Sequence, residues 1–235
     1  DAVTGAGSLD RVLAGGAGLD YLQLNLSDLS ESINWDFNDE TLNTTGGLEV
    51  SGFERYNLTT GSGNDDLTRE LLTGQNDSFN LGTGDDIIRL TVTDAAQFAS
   101  VQGSSGSDTL VVDFSAVTGT AGLASSIQSP FASIYSNFSI DGDSVITFRQ
   151  IENLHITGTG QNDTLVGGTG ADRLIGGDGD HLIHMVFADL PGIFPDLLYR
   201  HPVRKDTHFV QNHALARFHG GLQAIGVFRL HTDHL

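Results

Sequence analysis

Residues 158–183 read GTGQNDTLV, GGTGADRLI and GGDGDHLI. Set under one another, the three lines share glycines, an aspartate and an aliphatic residue at fixed places, in the form G-G-x-G-x-D-x-U-x, where U is large and apolar. The second line fits throughout, whereas the first departs at Thr159 and Gln161 and the third at His181. The x-U-x triplet is long enough for a short strand, and side chains in a strand alternate between faces, so only U must point inward. Leu165, Leu174 and Ile183 are therefore expected to line a narrow core. The six residues before each triplet must turn the chain back, through positive-φ conformations that glycine reaches without a Cβ penalty. Gly167, Gly168, Gly170, Gly176, Gly177 and Gly179 stand where such turns are needed.

The unit recurs upstream, as GGAGLDYLQ at 15–23, GSSGSDTLV at 103–111, and TGSGNDDLT, LTGQNDSFN and LGTGDDIIR between residues 60 and 89. A degenerate copy, GAGSLDRVL, occupies 5–13. The aspartates at the sixth position are Asp10, Asp20, Asp65, Asp77, Asp86, Asp108, Asp163 and Asp172. A longer repeat contains these units: GFERYNLTTGSGNDDL (52–67) aligns with QIENLHITGTGQNDTL (150–165), and GGAGLDYLQLNLS (15–27) with GSSGSDTLVVDFS (103–115). The chain thus reads as two copies of a module of roughly 90 residues, 1–101 and 102–183, followed by a different segment, 184–235. Stretches such as YLQLNLS, TLVVDFS, LEVSGFERYNL and SVITFRQIENLHI alternate with period two and are rich in β-branched and aromatic residues, which predicts strands. Residues 28–46 and 117–143 have weaker periodicity and read as loops or excursions.

If two nonapeptides make one coil, each aspartate lies above the aspartate two units on, at roughly the 4.8 Å spacing of neighbouring strands. At an effective dielectric of about 20, two carboxylates at that distance repel by on the order of 3 kcal/mol, too much to stack repeatedly without a cation. A hard divalent ion with about six to eight oxygen ligands fits, and carboxylates with loop carbonyls are calcium donors rather than zinc or copper donors. Hairpin turns in an antiparallel sheet are the plainer account of Gly-Asn-Asp strings. The nine-residue spacing argues against them at 158–183, while at 5–13, where Asp10 and Asp20 are ten residues apart, they stay open.

Composition narrows the function. The net charge of −19 with a single lysine argues against nucleic-acid binding, which depends on neutralising phosphates. There is no cysteine, so disulfides and cysteine chemistry are excluded. No apolar run is long enough to span a membrane, and the first residues, DAVTG, carry neither an initiator Met nor a signal sequence, so the chain reads as a piece of something larger. After Ile183 the composition shifts: eight of the nine histidines lie from His181 onward, with three of the four prolines and the lysine. His201, His208, His213 and His219 are a candidate second metal site, but no tight ligand spacing joins them, which favours an appended, unrelated segment. Aligning 82–88 with 177–183 sets His181 opposite Asp86, so the site shared by the first and third units of 158–183 has one carboxylate where two are usual.

These nonapeptides, above all GGTGADRLI with its neighbours, resemble the RTX or haemolysin-type calcium-binding repeat family. The resemblance implies an all-β fold, a parallel β-roll (β-solenoid), here with inserted strand segments. It also implies a calcium-folded structural module of a secreted bacterial protein, exported by type I secretion, disordered at low calcium and folding outside the cell. Carried over position by position, the calcium ligands are the eight aspartates, Asp10 the least well matched, with loop carbonyls around Gly168, Gly170, Gly177 and Gly179. A chain this acidic and glycine-rich has difficulty offsetting its ordering entropy without the ion, so calcium binding becomes folding energy. The alternative is an adhesin segment that binds carbohydrate or a cell surface, for which Trp35, Phe37, Phe53 and Tyr56 are the candidate stacking residues, although such positions are more often core. Catalysis is not expected: HExxH, G-x-S-x-G and P-loop motifs are absent. Pairs such as Asp36 with Asp39 and Asp141 with Asp143 read as turn formers rather than as acid and base.

Overall fold

A computed structural model describes residues 2–4, 12–38, 48–127, 135–168, 170–184 and 208–210, the backbone alone at 2–4, 184 and 208–210. Among them every regular element is a strand. In chain order these are β1 (Ala2–Thr4), β2 (Val12–Ala14), β3 (Tyr21–Asn25), β4 (Asn34–Asp36), β5 (Glu49–Ser51), β6 (Arg55–Thr59) and β7 (Asp66–Glu70). Next come β8 (Asn76–Asn80), β9 (Ile87–Thr91), β10 (Phe98–Gln102), β11 (Thr109–Asp113), β12 (Leu123–Ser126) and β13 (Ser136–Ile140). The last are β14 (Asp143–Arg149), β15 (Asn153–Thr157), β16 (Thr164–Val166), β17 (Arg173–Ile175), β18 (Leu182–His184) and β19 (His208–Val210).

From β6 to β11 successive strands alternate between two sheets, and each pairs in parallel with the strand one coil away. One sheet runs β1-β3-β6-β8-β10-β14-β13-β12-β16-β18, the other β19-β17-β15-β11-β9-β7-β4, and β2 pairs with β5. Among the described residues this is the parallel architecture expected of a β-roll, all-β and without helices. The period-two pattern sends Leu22, Leu24, Leu67, Phe79, Ile88, Leu90, Leu110 and Val112 into one buried cluster that continues to Leu165, Leu174 and Ile183. The apolar residues of the nonapeptides are therefore core, at 0%, 0% and 3% exposure for the last three. The core crosses residues 101–102, where β10 pairs with strands on both sides.

Coil length departs from two nonapeptides. The step is 18 residues only towards the end, from Leu154 to Asp172 and from Asp163 to His181. Upstream it is 21 from Asp65 to Asp86 and 22 from Asp86 to Asp108. The reason is strand length: β6 to β11 have five residues each, β16 to β18 three. Two segments read as loops also contain strands. Residues 28–46 hold β4, parallel to β7, and 117–143 hold β12 and β13, an antiparallel insertion within the first sheet. Their three to five residues each are too few to show a clear period. Asp141 and Gly142, at φ 54° and 88°, make the tight turn between β13 and β14; Asp141 forms the turn as read from sequence, whereas Asp143 opens β14.

Trp35, Phe37 and Tyr56 are buried, with Trp35 stacked on Phe37 at 4.0 Å between centroids, and Phe53 packs at their edge. Trp35, Phe37 and Tyr56 thus fill the core, and Phe53 is half-buried against it. No helix of the described residues is long and apolar enough to cross a membrane.

Candidate metal centre

Just before β7, β9, β11 and β15 in the second sheet stands an acidic residue, and these four stack in register. Asp65 Oδ1 accepts the Ile33 amide at 2.8 Å, Asp86 Oδ1 the Asp65 amide at 2.8 Å, Asp108 Oδ1 the Asp86 amide at 3.0 Å, and Glu152 Oε2 the Asp108 amide at 2.9 Å. One oxygen of each carboxylate thus caps the backbone of the preceding coil. The other oxygen, Oδ2 of Asp65, Asp86 and Asp108, is buried and makes no hydrogen bond. These aspartates are 2%, 0% and 0% exposed, which makes three partly unsatisfied buried carboxylates one above another. Burial, together with the charges of Asp86, Glu152 and Asp85, raises Asp108 to about 7. Asp86 rises to about 6 through burial and the charges of Asp65 and Asp85, and burial raises Asp65 as well. A cation would remove this penalty.

The coil at 158–183 shows how the nonapeptide is built. Asp163 Oδ1 accepts the Leu123 amide at 2.7 Å, and Asp172 Oδ1 the Leu154 amide at 2.9 Å. The first glycine of a unit leaves room for the side chain five residues on: a Cβ on Gly158 would lie 2.2 Å from Asp163 Oδ2, and one on Gly176 2.3 Å from the His181 ring. Other glycines allow turns to stack. A Cβ on Gly170 would meet the Glu152 carbonyl oxygen at 1.8 Å, and Gly179, at φ +116°, lies against the Gln161 carbonyl. Residues 156–180 match the family model for the RTX calcium-binding nonapeptide repeat (4 copies). This stretch is similar to the RTX repeat. RTX repeats bind calcium. No curated protein matches the chain.

The aspartates at position six of the nonapeptides fall into different environments. Asp20 Oδ2 is buried without a partner, like those of the stacked column. Asp77 is different: Oδ1 accepts the Tyr56 amide at 2.8 Å, and Oδ2 accepts Arg69 Nε at 2.9 Å inside the core. Arg69 also lies over the Tyr56 ring and donates to the Glu54 carbonyl. The guanidinium stands where a cation would be needed, so Asp77 is an ion-pair partner. Asp163 is similarly committed, accepting the Thr159 amide at 3.0 Å and the Thr159 hydroxyl at 2.7 Å. His181, buried in the position of an aspartate, places Nδ1 3.2 Å from the Asp163 amide and 3.4 Å from its Oδ2. Hydrogen bonding to Asp163 raises the His181 pKa against the opposing effect of burial. The neutral ring accepts from the amide; the charged ring donates to the carboxylate. Asp10, His201, His213 and His219 lie outside the described residues, as does the side chain of His208.

Two acidic residues in these columns were missed in the sequence, Glu152 above Asp108 and Glu54 above Asp20, whose amide donates to Glu54 Oε2 at 2.7 Å. The signal was available: they occupy the same place in the aligned stretches 52–67 and 150–165. Among the described residues no three His, Asp or Glu side chains converge as metal ligands. An ion here would take most of its oxygens from backbone carbonyls, which the close-stacked glycine turns supply. The donor set, carboxylate and carbonyl oxygen alone, fits calcium.

Proposed function

We propose that this chain is a calcium-folded structural module of a larger secreted bacterial protein. The reading rests on the buried Oδ2 atoms of Asp65, Asp86 and Asp108, each next to a like charge one coil away and each lacking a hydrogen bond. Asp20, Asp65, Asp86, Asp108 and Asp172 hold the ions, with carbonyls of the turns around Gly168, Gly170, Gly177 and Gly179. Asp77 and Asp163 have other partners and act in packing. Calcium, when bound, supplies the positive charge that lets these carboxylates remain ionised and buried at neutral pH.

Folding then depends on calcium by mass action. Such a chain stays open during type I export, where calcium is scarce, and closes outside the cell. No catalytic role is proposed. The test is a calcium titration of the full chain followed by far-UV circular dichroism, with magnesium as control. A calcium-specific gain of β signal is expected. A spectrum already fully folded in chelator and indifferent to calcium overturns the reading.

A further inference from the structure

Glu54 and Glu152 lie in two local structures that repeat atom for atom. In the first, Gly15 N donates to Ser51 O at 2.9 Å, and the amides of Glu54 and Arg55 both donate to Asp20 O at 3.2 Å. In the second, Gly103 N donates to Arg149 O at 3.1 Å, and the amides of Glu152 and Asn153 donate to Asp108 O at 3.3 and 2.9 Å. Gly52 and Gln150, two residues before each glutamate, are both left-handed, at φ 68° and 54°. Glycine adopts that conformation freely, whereas glutamine there is strained. Their carbonyl oxygens would lie 2.0 and 1.9 Å from a Cβ on Gly15 and Gly103. The first copy joins β3 to β6 in one sheet and the second joins β11 to β15 in the other. The arrangement has therefore been kept across a change of sheet, which core packing alone does not require.

Each copy brings together an aspartate with a buried, unpartnered Oδ2, a glutamate from the next coil, and an inward carbonyl. At the second copy Asp108 is fully buried, and both its Oδ2 and the Gln150 carbonyl oxygen lie within 2.5 Å of the point where a Gly103 Cβ would stand. Only glycine leaves that space. A merely structural cap would need neither a second carboxylate nor two oxygens brought this close together beside it.

We propose that Asp20 with Glu54, and Asp108 with Glu152, form two equivalent calcium sites in which a glutamate replaces the second aspartate of a nonapeptide pair. The sites lie where an RTX-like turn meets a strand, β6 or β15, that no nonapeptide precedes. This rests on the calcium reading above and assigns it two further ligands, Glu54 and Glu152.

The test is calorimetric calcium titration of the full chain and of Glu54→Gln, Glu152→Gln and the double variant. Glutamine keeps an oxygen to accept the amide of the preceding coil, so the cap survives while the charge is lost. Each single variant is expected to bind one calcium fewer than wild type and the double variant two fewer, with Glu152→Asp retaining the full number. Unchanged stoichiometry and affinity in the double variant show that the glutamates only cap backbone and overturn the proposal. Equal losses in Glu152→Asp and Glu152→Gln overturn it too, because side-chain length and not charge would then be what matters. A wild-type chain that binds no calcium removes both this proposal and the module reading.

Discussion

Replacing Asp108 by Asn separates the two roles of the carboxylate. The amide oxygen can still accept the Asp86 amide that Oδ1 accepts at 3.0 Å, so the link between coils is kept. The charge is lost. Asp108 is raised to about 7 in the folded chain, against an ordinary value of 3.8. Keeping it ionised at pH 7 therefore costs the folded state on the order of 4 kcal/mol without an ion. Relaxation of the coil and the new buried NH2 group reduce the gain from its removal, so we expect Asp108→Asn to be more stable than wild type in chelator by about 2 kcal/mol. In saturating calcium the order reverses, because a ligand is gone. Urea unfolding followed by circular dichroism reads both conditions, and with a slope of about 1–3 kcal/mol per molar the midpoint moves by on the order of 1 M. If wild type is unfolded in chelator, the variant shows extra β signal there. A variant less stable than wild type in both conditions refutes the argument that an uncompensated charge limits the calcium-free fold.

The same carboxylates set the response to pH. With raised folded values, Asp86 and Asp108 hold more protons folded than unfolded between about pH 4 and about 7, so stability in chelator is greatest at the acidic end and falls as pH rises through that window; a calcium-free stability curve rising towards neutrality would contradict this. Arg69→Met leaves Asp77 charged and buried and is expected to cost about 3–5 kcal/mol, most of it regained when Asp77→Leu is added, as read by thermal unfolding in calcium. Gly106→Ala places a Cβ 1.7 Å from the Gly84 carbonyl at φ +144° and should cost more than about 2 kcal/mol. Gly160→Ala, with nothing within 4 Å, should stay within about 0.5 kcal/mol of wild type; equal effects from the two glycines would remove the close-stacking argument.

The nonapeptide was legible because each of its positions answers a local need. Leu165, Leu174 and Ile183 recur because a three-residue strand has a single inward position, and Gly158 because the carboxylate five residues on takes the place of its side chain. The break at His181 was legible as well, and the structure places that ring directly against Asp163, where a second aspartate was missing. The coil length of 21 and 22 residues was not, since a five-residue strand and a three-residue strand show the same alternation over so short a run.

What the sequence determined by itself is therefore the class of fold and the chemistry on offer: parallel coils, one inward apolar residue per short strand, and aspartates that recur at the turns. Which aspartates are left needing a cation was decided by tertiary structure. Asp77 and Asp86 occupy the same position of the same repeat nine residues apart, yet one faces the Arg69 guanidinium and the other only carboxylates and backbone. A motif specifies the conformation of its own nine residues, whereas the electrostatics of a buried group depend on what the neighbouring coils bring to it. That is also why Glu54 and Glu152, which belong to no nonapeptide, stand in the acidic columns: the register of the sheets, set by packing along the whole core, carries them there.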